Sequence, residues 1–251
     1  MSLLYLDTVD STNTYCRNHF PELADGTLVA AGEQTAGRGR LDRKWLAVPG
    51  SCLTATFVMK QVPAEPFYAT CCLSLAVLEL LRATAPGIPF YIKWPNDVYC
   101  DGRKIAGILS EGIVQQGKIA GIVAGAGINI NLTEKELAAI DQPAVSLSTL
   151  TNCTFDVKNM LVQFEKCLDI CYITCSSNPQ KLFEDWKREN HLLGMFVDFE
   201  RPDGVLVTGV LSEIFPDGSI EVSGSGAKEI FRCGDIRISK KFLSETEERK
   251  I

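Results

Sequence analysis

The sequence is poor in histidine. His19 and His191 are the only two among 251 residues, and they lie near opposite ends. Neither has a cysteine pair, carboxylate or second histidine at ligand spacing, which excludes a His-rich zinc site. A Ser-His-Asp triad has almost no choice of base. Ten cysteines are present, but no C-x-x-C occurs. Cys71 and Cys72 are adjacent, and Cys167, Cys171 and Cys175 recur every four residues on one helical face. They read as small buried hydrophobes in a reducing compartment. No apolar run reaches the length of about 20 residues that spans a bilayer; residues 69–81 are interrupted by Glu79 and followed by Arg82. The N-terminus has no basic segment, and Asp7 and Asp10 break its apolar character, so it is no signal peptide. These absences predict a cytoplasmic protein without membrane attachment. Positive charge is also short. A net charge of −6 argues against general binding to DNA or RNA, whose affinity comes from neutralising cations.

What remains is ordinary globular material, 46% hydrophobic and 22% charged. Residues 3–7, 27–34 and 90–94 read as strands. Residues 52–60 alternate and read as a half-buried strand. Residues 64–85 and 156–175 carry apolar side chains at helical spacing. Asp101-Gly102 and Gln116-Gly117 mark hairpins. Asn178-Pro179 is a cap and first-turn pair for a helix through residue 190. From residue 195 onward only short strands and turns appear. The pattern predicts an α+β fold: a mixed β-sheet with helices on one face over residues 1–190, then a small antiparallel β-barrel within 191–251. So small a barrel has a marginal core of its own and should lean on the larger domain.

Four segments carry chemistry. Gly37-Arg38-Gly39-Arg40-Leu41-Asp42-Arg43-Lys44-Trp45 has a net charge of +3 within an acidic chain. Glycines that let backbone approach a ligand, together with Arg donors, make an anion clamp, and Trp45 offers a flat ring. The alternatives are a solvated basic loop or an RNA-binding patch. It is neither a Rossmann fingerprint nor a P-loop. Lys93-Trp94-Pro95-Asn96-Asp97 ends a strand at a proline and projects Asn96 and Asp97, with Lys104 just beyond the hairpin. Its alternative is an Asn-Asp turn with an exposed lysine. Gly125-Ala126-Gly127-Ile128-Asn129 places glycines inside a strand, as a floor under a ring system or as a bulge. Ser11-Thr12-Asn13 follows Asp10 and suits a urea-like group, a helix cap, or both.

Together these segments resemble the biotin protein ligase family. The matching pieces are D-S-T-N at 10–13, Q-T-A-G-R-G-R at 34–40, R-K-W at 43–45, K-W-P-N-D at 93–97, R-K-I-A-G-I-L at 103–109 and G-A-G-I-N at 125–129. They occur in family order, and the resemblance extends over about residues 1–240. It implies a biotin/lipoate ligase-like catalytic domain and an SH3-like C-terminal domain. It is closest to the ligase-only class, because the 10–13 motif begins almost at once and leaves no helix-turn-helix domain before it. Asp42 departs from the glycine common in bacterial members.

The resemblance also implies chemistry. Biotin and ATP, with Mg²⁺, give biotinyl-5′-adenylate, and the acyl group passes to a lysine of a biotin carboxyl carrier protein. Arg38, Arg40, Lys104 and Asp97 are the implied catalytic residues. Ser11, Thr12, Asn13, Gln34, Gly37, Arg38, Gly39, Arg40, Lys104, Gly107, Leu109, Gly125 and Gly127 are implied at biotin. Arg40, Arg43, Trp45, Asn96, Lys104 and Asn129 are implied at ATP. No protein cluster is expected to hold the metal, which would accompany ATP near Asp97. Lys93 reads as structural, and a homodimer is compatible. A lipoate or octanoate ligase and a non-enzymatic binder are the competing readings.

Overall fold

The computed structural model describes residues 1–40, 43–201, 203–224, 227–232 and 234–238. The first layer is built from β1 (Ser2–Val9), α1 (Thr12–Asn18), β2 (Thr27–Gln34), β3 (Cys52–Met59), α2 (Tyr68–Thr84), β4 (Tyr91–Lys93), β5 (Asp97–Cys100), β6 (Arg103–Gln115) and β7 (Lys118–Asn129). The seven strands form one sheet in the order β1-β2-β3-β7-β6-β5-β4. Only β1 and β2 pair in parallel, so the sheet is mixed, as the sequence predicts. Asp101 and Gly102 both take positive φ, as do Gln116 and Gly117. That geometry makes both hairpins tight.

The helices α3 (Glu134–Leu137), α4 (Leu147–Thr151), α5 (Val157–Ser177) and α6 (Pro179–Arg188) follow. Asp156 caps α5 by accepting from the amides of Lys158 and Asn159, and Asn178 caps α6 by accepting from Lys181. The short α4 has no counterpart in the hydrophobic periodicity. It is closed by a Ser146–Thr149 capping box instead.

Strand alternation sorts the large sheet into two faces. Ile122, Ala124, Ala126 and Ile128 of β7 join Leu53, Ala55, Phe57 and Met59 of β3 in the main core, against α2, α5 and α6. The opposite face carries a smaller helix. Cys16 of α1 and Phe20 just beyond it pack on Val29, Val58 and Val123. Helices therefore lie on both faces, not on one. This also corrects the reading of β3 as half-buried: all eight of its residues are buried, because α1 covers the side that alternation assigns to solvent.

The last segment forms β8 (Phe196–Glu200), β9 (Leu206–Ile214), β10 (Ile220–Gly224), β11 (Ala227–Phe231) and β12 (Asp235–Ile238). They make one antiparallel sheet in the order β11-β10-β9-β8-β12, with no pairing of β11 to β12 among the described residues. Phe199 of β8 stacks on Phe231 of β11 at 4.2 Å between ring centres. Those strands are three spacings apart, about 14 Å in a flat sheet, so the sheet is strongly curled. It leans on the first layer. Trp94 donates its indole N–H to the Gly218 carbonyl at 3.0 Å, and its ring faces Phe199. One hydrophobic cluster runs through both sheets.

The nine described cysteines are all free, and only Cys153 is exposed. Burial pushes the Cys16 thiol up to about 12 and Cys52 up to about 11. Alkylation of the native protein near pH 8 should label Cys153 and spare Cys16, Cys52, Cys71 and Cys72 until unfolding. Rapid native labelling of Cys16 would contradict the packing described.

Candidate functional site

A cavity of about 910 Å³ opens on the α1 side of the large sheet. Its floor is β6 and β7. Residues 121, 123, 125, 127 and 129 of β7 share this face, and three of them are glycine. Each glycine has a close neighbour. A Cβ on Gly121 would fall 2.1 Å from the Phe20 ring, one on Gly125 2.1 Å from Asn13 Oδ1, and one on Gly127 2.4 Å from the Trp45 ring. On β6, a Cβ on Gly107 would lie 2.9 Å from the Lys104 Cε atom. The register between β3 and β7 is continuous from Ile122 to Asn129, so Gly125 and Gly127 are not a bulge. The ring on the glycine floor is the protein's own indole.

One end of the floor is neutral and polar. Thr12 donates its backbone N–H and its hydroxyl to Gln34 Oε1, at 2.7 and 3.0 Å. Thr56 Oγ1 lies 2.7 Å from Asn13 Oδ1 and 2.8 Å from Thr12 Oγ1. Asn13 Nδ2 donates to the Leu109 carbonyl at 3.0 Å and to Glu111 Oε2 at 2.9 Å. Ser11 is the N-cap of α1 but makes no side-chain capping bond. The cap expected from the sequence is therefore not formed by this residue, which lines the cavity.

The other end carries the cations. The basic segment folds back on itself: Trp45 N donates to the Gly37 carbonyl at 2.9 Å, and Gly39 N to the Arg43 carbonyl at 2.7 Å. Asp42, with Leu41, lies outside the described residues. Arg40 donates to Asn96 Oδ1 at 2.9 Å, and Asn96 Nδ2 donates to the Ile108 carbonyl at 2.5 Å. Asn96 thus fixes the direction of Arg40. Lys104 Nζ lies 2.7 Å from Asp97 Oδ1, an ion contact without hydrogen-bond alignment, in surroundings that leave both side chains about 15% exposed. The same ammonium sits 5.7 Å above the Trp45 ring. Trp45 Nε1 is buried and has no partner among the described residues. An orphan donor on the floor of a cavity is a demand for a ligand or water.

Arg38 turns away from the Lys104 and Arg40 end of the cavity. Its guanidinium pairs with Glu111 at 2.7 Å, so in this state its charge is held beside α1. Ser11, Thr12, Asn13, Gln34, Arg38, Gly39, Arg40, Arg43, Trp45, Asn96, Asp97, Lys104, Gly107, Leu109, Gly125 and Gly127 all line the cavity. Gly37 and Asn129 do not. Gly37 packs its Cα against the Trp45 backbone. Asn129 is buried and donates to the Val145 carbonyl at 3.1 Å, tying the end of β7 to the strand-like segment beside Lys104. Lys93 lies over the Tyr99 ring at 4.8 Å, a structural contact, although it also touches the cavity. Neither histidine takes part: His19 pairs with Glu22 on the surface, and His191 packs on Tyr91.

Sequence reasoning missed several contributors. Thr56 was legible only as a polar position in an alternating strand. Glu111 had no motif to mark it. The wall formed by residues 139–142, and by Asp198, Glu200, Ile236 and Arg237 from the C-terminal sheet, depends on tertiary folding and left no local signal.

A neutral polar pocket, a flat floor and a cationic end define a site for an anion-bearing ring compound and a second, phosphate-like group. The comparisons agree with this. The biotin/lipoate A/B protein ligase family model matches residues 5–129. The bifunctional ligase/repressor BirA of Bacillus spizizenii is 34% identical over 206 residues, which covers 77% of this chain and 60% of that protein. The biotin--[acetyl-CoA-carboxylase] ligase of Mycobacterium tuberculosis is 32% identical over 219 residues, 84% of this chain and 79% of that protein. The biotin protein ligase of Aquifex aeolicus, solved in complex with biotin and ATP, matches with a TM-score of 0.78 and 26% identity, covering 95% of this chain and 99% of that one. The chain spans 46% to 60% of the length of the bifunctional relatives it matches. The chain belongs to the biotin/lipoate A/B protein ligase family, and within it to the biotin protein ligases.

The floor gives a direct test. Gly125→Ala adds one methyl group where Asn13 rests. Biotin affinity, measured by calorimetry, should fall about tenfold or more while the protein stays folded. Unchanged affinity would mean that Asn13 does not shape the pocket.

Proposed function

We propose that the protein makes biotinyl-5′-adenylate from biotin and ATP, then transfers the biotinyl group to a lysine of a biotin carboxyl carrier domain. The observation that carries this reading is the order of groups along one sheet face. Thr12, Gln34 and Asn13 come first, then Trp45 over Gly127, then Lys104 and Arg40. Amide and hydroxyl groups suit a ureido ring, an apolar floor suits the thiophane ring and chain, and cations suit a carboxylate meeting a phosphate.

In the first step a biotin carboxylate oxygen attacks the α-phosphorus. The O–P bond forms, the bond to the β-phosphate bridge breaks, and pyrophosphate leaves with the electron pair. Both reactants are anions, so Lys104 and Arg40 screen their repulsion and stabilise the charge that builds up on the phosphoryl oxygens. In the second step the carrier amine attacks the acyl carbon. An amide forms, the acyl–phosphate bond breaks, AMP departs, and the amine proton goes to solvent. No enzyme nucleophile or imidazole base is required. The residues also fit Mg²⁺ arriving with the nucleotide. Asp97, whose Oδ1 pairs with the Lys104 ammonium at 2.7 Å, is the carboxylate that would help hold the ion. The ion would supply charge neutralisation.

A cytoplasmic location belongs to the same reading, supported by the free thiols of the described cysteines. No described helix is long and apolar enough to cross a membrane. Domains at 1–190 and 191–251 are also part of it, the second contributing one wall of the cavity. A homodimer is compatible, since β1 leaves one sheet edge without a partner strand among the described residues.

Biotin-dependent exchange of labelled pyrophosphate into ATP tests the first step. Lys104→Ala should lower it about a hundredfold; an unchanged rate would remove Lys104 from the reaction. Arg40→Gly should release adenylate and label lysines indiscriminately. Strict carrier specificity with retained adenylate would refute the clamp role. Calorimetry with lipoate in place of biotin should show no comparable binding.

A further inference from the structure

Glu111 belongs to none of the recognised motifs, yet it is the most heavily engaged carboxylate near the cavity. It sits on β6 on the same face as Gly107 and Leu109, and its side chain is about four-fifths buried. Oε2 accepts from Arg38 at 2.7 Å and from Asn13 Nδ2 at 2.9 Å. Oε1 accepts from Arg17 at 3.1 Å. All three partners are donors, and they come from two different elements, α1 and the basic segment.

We propose that Glu111 is a positioning residue of the biotin site: one carboxylate aims the Asn13 amide across Gly125 and holds Arg38, so that the start of the basic segment is docked beside α1. The proposal rests on the functional reading above. The chemistry of the pairing explains why a carboxylate is needed. Asn13 must turn its NH₂ toward Leu109 and Glu111, which leaves Oδ1 facing Thr56 over the glycine. An acceptor at 111 therefore fixes which way the amide faces. The same charge prevents Arg38 and Arg17 from repelling each other across the gap. A glutamine of equal shape places an NH₂ among donors, so one bond is replaced by a donor–donor contact.

The test compares wild type with Glu111→Gln in two assays. In the ligand-free protein, trypsin should cut the 38–44 segment several-fold faster in the variant. In pyrophosphate exchange, the KM for biotin should rise about tenfold or more, with kcat changing far less, because Lys104 and Arg40 are untouched. A purely structural role would lower the thermal midpoint and reduce kcat without this split. Equal trypsin sensitivity and an equal KM would overturn the proposal, as would a parallel loss of kcat and stability. If Glu111→Gln does not fold, Glu111→Asp serves. Its carboxylate is one methylene shorter and sits farther from both Asn13 and Arg38, so the same two changes are expected in milder form. If wild type shows no exchange at all, the functional reading fails, whereas the trypsin comparison still decides whether Glu111 holds the segment.

Discussion

A strand face without side chains is the constraint on which the site depends. On β7 the positions that face α1 are glycine three times in four steps, and on β6 Gly107 pairs with Gly127. A Cβ at any of the four would intrude on a group now lying on the sheet. Because the backbone is bare, Phe20, Asn13, Trp45 and Lys104 rest directly on it. The glycines weaken the strand intrinsically. That loss is offset on the other face, where Ala124, Ala126 and Ile128 are buried in the main core and held between β3 and β6.

The second theme is charge held in reserve. Three cations at the cavity of this acidic chain each have an internal partner: Arg40 on Asn96, Lys104 on Asp97, Arg38 on Glu111. These pairings keep long flexible side chains in place before any substrate arrives. An anionic ligand then exchanges one set of contacts for another and avoids the entropy of ordering the side chains afresh. Neither histidine takes part in this arrangement, and the proposed chemistry needs cations at a phosphate, not a base.

The elements with strong local signals were legible in the sequence. Strand β2 runs from Thr27 to Gln34, over the stretch rich in β-branched and small residues, and both tight hairpins follow from Asp-Gly and Gln-Gly. Most of the motif residues do converge on one cavity. What failed did so for tertiary reasons. Alternation in β3 correctly separated Leu53 and Phe57 from Thr54 and Thr56, but it could not show that α1 covers the second set. Helix α4 is too short for periodicity and is fixed by its caps. Glu111 and Thr56 acquire their roles only when α1 is laid across the sheet. Asn129 looks like a ligand-facing amide within its motif, and the fold uses it to tie two backbone segments together.

The central claim is that this cavity joins biotin to ATP and hands the acyl group to a carrier lysine. Intact-mass spectrometry of a biotin carboxyl carrier domain, incubated with the protein, biotin, ATP and Mg²⁺, tests it most directly. The account predicts a mass gain of one biotinyl group on a single lysine, dependent on ATP. A carrier that remains unmodified in the presence of folded protein and all substrates would contradict it.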